Sequence, residues 1–237
     1  MTTATATSNK NLFWDSVEKT ESGYVPGDPI IINGKLLTNK AENFRNEMFR
    51  SCTTIERFAA ECFMTPPKRV LDLGAGIGAN TRPMAKRGAH VTAIDSSKEL
   101  LQIFANQCVA DGCPKENIRL RHGDITIMKS YGENFKLVVA VDILSYITPK
   151  DLHLTMEKIQ KCLADKGILI GTIFTTDTDP TMRIFMGKMG AHFYEGGKKF
   201  TEQLLTKSGF SVEKLEAREE GGFRFKAVKV STEEESS

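Results

Sequence analysis

No apolar run in this chain approaches the length of a membrane span. No basic stretch followed by an apolar one opens it either, so neither a spanning helix nor a secretory signal is expected. Cysteine is sparse and lacks a ligating pattern. The five residues, Cys52, Cys62, Cys108, Cys113 and Cys162, are odd in number and include no C-x-x-C. That argues against a disulfide framework or a zinc site and for a reducing, cytoplasmic setting. An excess of one charge is also missing. With 32 Lys and Arg against 30 Asp and Glu, a formal net charge of +2 gives no push toward nucleic acid, membrane or acidic partners. There is no internal repeat. What remains is 237 residues that are 40% hydrophobic and 26% charged, which suits one large α/β domain with its own core.

The stretch that organises the rest is Val70-Leu-Asp-Leu-Gly-Ala-Gly-Ile-Gly78. Val70, Leu71 and Leu73 suit a strand buried on both faces. Gly74, Ala75, Gly76 and Gly78 then make a turn in which missing Cβ atoms let a ligand approach the backbone. The spacing alone also satisfies the looser dinucleotide fingerprint. Asp72, two residues before the first glycine, separates the two readings. A carboxylate there repels a pyrophosphate and suits an ammonium group. A second strand, Val91-Thr-Ala-Ile-Asp95, ends in another carboxylate at about the separation of a ribose-binding acid. Its two oxygens can accept both ribose hydroxyls. Ribose and ammonium without phosphate describe S-adenosylmethionine.

Around this stretch, strands and helices alternate. Strands are expected at 69–73, 90–95, 117–122, 136–142 and 168–174. Helices are expected at 79–87, at 97–111 with Ser96 as N-cap and Glu99 three residues on, and from Thr148-Pro149 with a stripe of Leu152, Met156, Ile159 and Leu163. That alternation predicts a parallel sheet with helices on both faces. Asp177-Thr-Asp179-Pro180 reads as the cap of a short helix with Met182, Phe185, Met186 and Met189 on one face. A helix over 200–208 then leads to strands 210–218 and 223–230 around Gly221-Gly222, an antiparallel hairpin. Ahead of the sheet, Ile30-Ile-Ile32 with an Asn33-Gly34 turn reads as a short strand. Residues 40–63 carry apolar positions at helical steps, so residues 1–65 are assigned as tail and helical cap, 66–230 as the main domain and 231–237 as an acidic tail.

Val70-Leu-Asp-Leu-Gly-Ala-Gly-Ile-Gly78, Ala93-Ile-Asp95 and His122-Gly-Asp124-Ile resemble motifs of class I S-adenosylmethionine-dependent methyltransferases, over roughly residues 45 to 230. The resemblance implies a doubly wound, mostly parallel seven-stranded sheet with an antiparallel C-terminal strand. It implies that Asp72 holds the methionine ammonium and that the backbone of Gly74, Ala75, Gly76 and Gly78 borders the methionine and ribose. Asp95 would take the ribose hydroxyls, with Ser96 beside the adenosine. Asp124 would accept from the adenine amino group, with Ile125 against the ring. Asp142, Ile143 and Leu144 would line the floor under the sulfonium, and the cap would cover cofactor and acceptor. The product would be S-adenosylhomocysteine (SAH). Acids at Asp142 and at Asp177 or Asp179 occupy positions that catechol-type members use for magnesium, but the Asp-Asn pair expected after the second strand is absent, so no metal is expected.

The methyl acceptor is less legible. His192 and Tyr194 lie in the connection that often reaches the acceptor, and either could serve as a base. The leading reading is a small, partly apolar or aromatic acceptor, with the protein a monomer or homodimer. An RNA or protein methyltransferase is the second reading. Asp142-Ile-Leu-Ser-Tyr146 lacks the Asn/Asp-Pro-Pro-Tyr/Phe of amino-directed nucleic-acid enzymes, and no paired-glutamate loop marks a protein-arginine enzyme. A third reading is a non-catalytic cofactor-binding subunit, or non-methyl chemistry on the same fold.

Overall fold

The structure, a computed structural model, describes residues 69–218 and 221–231, and the backbone of 31–32 and 35–36. The 40–63 helix, Trp14, Tyr24, Cys52, Cys62, the first ten residues and the acidic tail beyond Ser231 lie outside the described residues. Ser231 itself, assigned above to the tail, is buried. Near the N-terminus β1 (Ile31–Ile32) pairs antiparallel with β2 (Lys35–Leu36), the hairpin that Asn33-Gly34 announces.

The main sheet contains β3 (Arg69–Leu73), β4 (His90–Asp95), β5 (Ile118–His122), β6 (Phe135–Ala140), β7 (Leu163–Ile173), β8 (Phe210–Ala217) and β9 (Phe223–Lys229). Their order is β5-β4-β3-β6-β7-β9-β8. The first five are parallel; β9 runs antiparallel to both β7 and β8. The chain order reverses between β3 and β6, which opens a crevice at their carboxyl ends. Helices α1 (Arg82–Lys86), α2 (Lys98–Ala110), α3 (Pro149–Cys162), α4 (Pro180–Lys188) and α5 (Gly197–Lys207) fill the connections.

Two cores result from the two-residue period of the strands. Leu71, Leu73, Val138 and Leu169 point to one face, where α3 and α5 contribute Leu152, Met156, Ile159, Leu204 and Leu205. Val70, Val91, Val139 and Ile170 point to the other, against Met84 and Ala85 of α1 and Phe104 and Cys108 of α2. Asp72 shares the face of Val70, so the same alternation that builds the core buries a carboxylate under α1.

Several boundaries differ from expectation. Helix α2 is capped by Ser97, whose Oγ accepts from the Leu100 N–H, and not by Ser96. Ser97 is the residue with extended φ/ψ ahead of the first turn, which is what an N-cap requires. Helix α1 starts three residues late because Gly78 to Thr81 form turns first. Strand β7 starts at Leu163, with no gap after α3. Phe135 pairs with Leu163 and Leu137 with Ile168, so the residues between form a bulge, with Lys166 at φ 53°. At Gly167 a Cβ would lie 2.8 Å from the Ala164 carbonyl oxygen, so the bulge needs this glycine.

Candidate cofactor and acceptor site

The glycine turn between β3 and α1 is held from three directions. Gly74 and Ala75 donate to the Ile94 carbonyl at 2.9 and 3.1 Å, and Gly76 N–H donates to Asp95 Oδ2 at 2.8 Å. A Cβ on Gly74 would meet the Ile143 side chain at 2.6 Å, and one on Gly78 would meet the Phe104 ring at 2.6 Å. A Cβ on Gly76 would meet none of the described residues within 4 Å. All three have positive φ. The turn is thus walled at its two ends and open at its middle glycine, the side from which a ligand can reach the backbone.

Two carboxylates flank that opening. Asp95 ends β4 and spreads its oxygens: Oδ2 takes Gly76 N–H and Oδ1 takes Ser97 N–H at 2.8 Å. Asp72 is 2% exposed and accepts a 2.6 Å hydrogen bond from Thr81 Oγ1. Burial pushes its carboxyl up to about 7 against the opposing effect of that hydrogen bond, and the nearby Asp95 charge adds to the rise. A buried acid titrating near neutrality suits a cationic partner.

On the other flank His122 Nε2 lies 3.0 Å from the Ser96 carbonyl, which makes Nε2 the protonated nitrogen and the ring a structural tie between β5 and β4. Asp124 Oδ1 accepts from both the N–H and Oγ1 of Thr126, at 2.8 and 2.7 Å, and so caps the turn after β5. No described residue donates to Oδ2. Ile125 and Leu144 are buried in the core, so they lie beneath the site and not on its surface. Ile143 is partly buried and forms the wall over Gly74.

Asp142 follows β6 in the left-handed region, φ 53°. Its N–H donates to Thr172 Oγ1, and its Oδ1 accepts from Thr172 Oγ1 and from Arg218 Nη1, each at 2.8 Å. Neither Thr172 nor Arg218 was singled out from the sequence. Arg218 lies 76 positions from Asp142, beyond the reach of any local period. Tyr194, expected near the acceptor, has its hydroxyl inside the core, donating to the Ile147 carbonyl at 2.7 Å, with its ring stacked on Phe200 at 5.0 Å. Burial pushes its phenol up, so it has a structural task and is a poor base. His192 is half-buried, and its backbone N–H donates to the Ser145 carbonyl at 2.6 Å. That bond sets it beside the turn after β6, at the crevice. Helix α4 is capped by Asp179, which accepts from the Thr181 and Met182 N–H groups, while Met186 and Met189 are buried. Of the acids considered for magnesium, Asp142 is paired to Arg218, Asp179 caps α4, and Asp177 Oδ2 accepts from Thr175 Oγ1 at 3.5 Å. Among the described residues no group of three His, Cys, Asp or Glu is placed to hold a metal.

A parallel sheet reversed at β3/β6, an antiparallel last strand and two strand-end acids around an open glycine are the arrangement of class I S-adenosylmethionine-dependent methyltransferase domains, to which this chain is similar. Residues 70–167 match the family described as methyltransferase domain. The demethylmenaquinone methyltransferase of Tropheryma whipplei (strain Twist) is 47% identical over 64 residues, which is 26% of this chain and 25% of that protein. The carboxy-S-adenosyl-L-methionine synthase of Vibrio vulnificus (strain CMCP6) is 33% identical over 120 residues, 47% of this chain and 46% of that one. The chain therefore spans between a quarter and a half of these curated relatives. Magnesium protoporphyrin IX methyltransferase from Synechocystis PCC 6803, solved with bound SAH, superposes with a TM-score of 0.65 at 16% identity, covering 81% of this chain and 88% of that one. At that identity the likeness is one of fold.

Proposed function

We propose that this chain transfers a methyl group from S-adenosylmethionine to a small, partly apolar or aromatic acceptor. The observation that carries the reading is the open Gly76 position between two walled glycines, with the Asp95 carboxylate already on the Gly76 amide. When bound, the cofactor supplies a methyl on a positively charged sulfur, already activated for in-line displacement. The residues of this chain then have to bind, orient and exclude water. Asp95 would take the ribose hydroxyls, the Gly74–Gly78 backbone would border the chain beyond, and Asp72 would face the ammonium. Asp124 Oδ2 would accept from the adenine amino group, with Ser96 beside the adenosine. Asp142 and Ile143 would bound the crevice on the β6 side.

For an acceptor that must lose a proton, His192 is the group we assign as base, since its backbone is fixed at the crevice and its ring is half-buried. A small acceptor is supported by a net charge of only +2 and by relatives whose names denote small-molecule chemistry. We assign residues 1–65 as the cap of the same domain. We place the protein in the cytoplasm, since Cys108, Cys113 and Cys162 are buried and free. No helix among the described residues is long and apolar enough to cross a membrane.

The test is calorimetric titration with S-adenosylmethionine, SAH and NAD, on the native chain and Asp95→Ala. Micromolar binding of the first two, lost in the variant and absent for NAD, is the expected result. Binding of NAD alone would return the glycine turn to the dinucleotide class. The carboxy-S-adenosyl-L-methionine synthase similarity favours one second reading, chemistry on the cofactor itself. Methyl-labelled cofactor separates the two: label appears in the acceptor for transfer and stays in the cofactor for the alternative.

A further inference from the structure

Asp142 is held by an arginine from the far end of the sheet. The Arg218 side chain is 2% exposed and that of Asp142 21%, with Nη1 to Oδ1 at 2.8 Å. The guanidinium carbon also lies 5.0 Å from the centroid of the Phe174 ring. Around the pair, Thr172 Oγ1 bridges the N–H and the carboxylate of Asp142. A non-glycine residue at φ 53° is strained by on the order of 1 kcal/mol and persists only where its surroundings over-determine it. These contacts supply that constraint. The turn they fix delivers Ile143 against Gly74, where its side-chain atoms leave no room for a Cβ. Gly74 in turn opens the segment whose Gly76 amide sits on Asp95.

We propose that Arg218 is a positioning residue for the cofactor turn. Through Asp142 and Ile143 it sets the wall against which the Gly74–Gly78 backbone rests. A buried ion pair is a poor way to gain stability, because apolar side chains of similar volume do as well or better. It is a good way to fix one direction, since Nη1, Oδ1 and Thr172 Oγ1 must all be satisfied together. The C-terminal hairpin thereby becomes part of a site whose other members all precede residue 200.

The SAH arm of the test rests on the function proposed above; the exchange arm does not. Full-length Arg218→Met and Arg218→Lys are compared with the native chain by SAH calorimetry and by amide exchange of peptides covering 74–78 and 142–144. Arg218→Met is expected to lower SAH affinity roughly tenfold, the scale of a lost charge-assisted hydrogen bond. Exchange in both peptides should quicken, while the peptide covering β4 keeps its protection. Arg218→Lys should restore part of both effects, and it carries the test if the Met variant does not fold. Unchanged affinity and unchanged exchange at 74–78, with only a lower melting temperature, would overturn the proposal. If the native chain binds no SAH, the functional reading fails, and the exchange comparison alone decides whether Arg218 positions the turn.

Discussion

Asp72 shows how one residue can couple burial to pH. Its carboxyl, pushed up to about 7 by burial, lies above the ordinary value of 3.8. Between those values the native state binds a proton that the unfolded state has lost. Stability contributed at this site is therefore greatest below about pH 4, falls as pH rises toward about 7, and levels off above it. Asp72→Asn keeps an acceptor for Thr81 Oγ1 but cannot ionise. Urea titrations at pH 5 and pH 8 should show the variant gaining on the native chain at pH 8 and matching it more closely at pH 5. A cationic ligand reverses the preference, since it favours the ionised acid. SAH affinity should accordingly rise from pH 6 to pH 8 in the native chain, with proton release on binding, and lose that rise in Asp72→Asn. The sequence offered Asp72 as a candidate ammonium partner, but its protonation was not legible there. That depends on Thr81 and on the depth of β3, which no local pattern records.

Secondary-structure elements carry predictions that separate look-alike positions. Gly76 and Gly78 both have positive φ, yet only Gly78 is walled, by Phe104 of α2. Gly78→Ala should cost about 1–3 kcal/mol beyond its backbone strain because the ring must move. Gly76→Ala should cost only the strain, on the order of 1 kcal/mol, while weakening SAH binding. Urea unfolding of the two variants, read beside SAH titration, checks both statements. At the start of α2, Ser97→Ala should lose about 1 kcal/mol, and Ser96→Ala should change stability little. The cap was misplaced by one residue because Ser96 and Ser97 are chemically alike; only φ/ψ distinguishes them. Strands β3 and β4 were read to their terminal residues, since apolar runs bounded by Arg69, Gly74 and Gly88 leave little freedom. The bulge opening β7 was not, because it comes from pairing with Phe135 and not from its own sequence.

At the scale of the molecule, the alternation of strands and helices made the parallel sheet readable, and Gly221-Gly222 made the hairpin readable. The sequence could not reveal which acids the sheet would bring to cations. The Arg218–Asp142 pair depends on β9 lying next to β7, so that the end of β8 comes back over the crevice. A chain truncated after Ala217 should lose the strand that joins β8 to β7, along with Arg218. We expect such a chain to lack a cooperative thermal transition by circular dichroism and to elute as aggregates in gel filtration, because the edge of β7 is left unpaired.

The strand order also has a temporal meaning. β8 is made before β9, yet β9 occupies the place between β8 and β7. During synthesis, the chain that has emerged as far as β8 has no neighbour in the sheet for that strand. Only when Phe223–Lys229 arrives do β7, β9 and β8 pair, and Arg218 reaches its acid with them. A half-made chain therefore carries the glycine turn and both strand-end acids without the clamp on Asp142. Competence to grip a ligand would wait for β9, well after the motifs that announce it have left the ribosome.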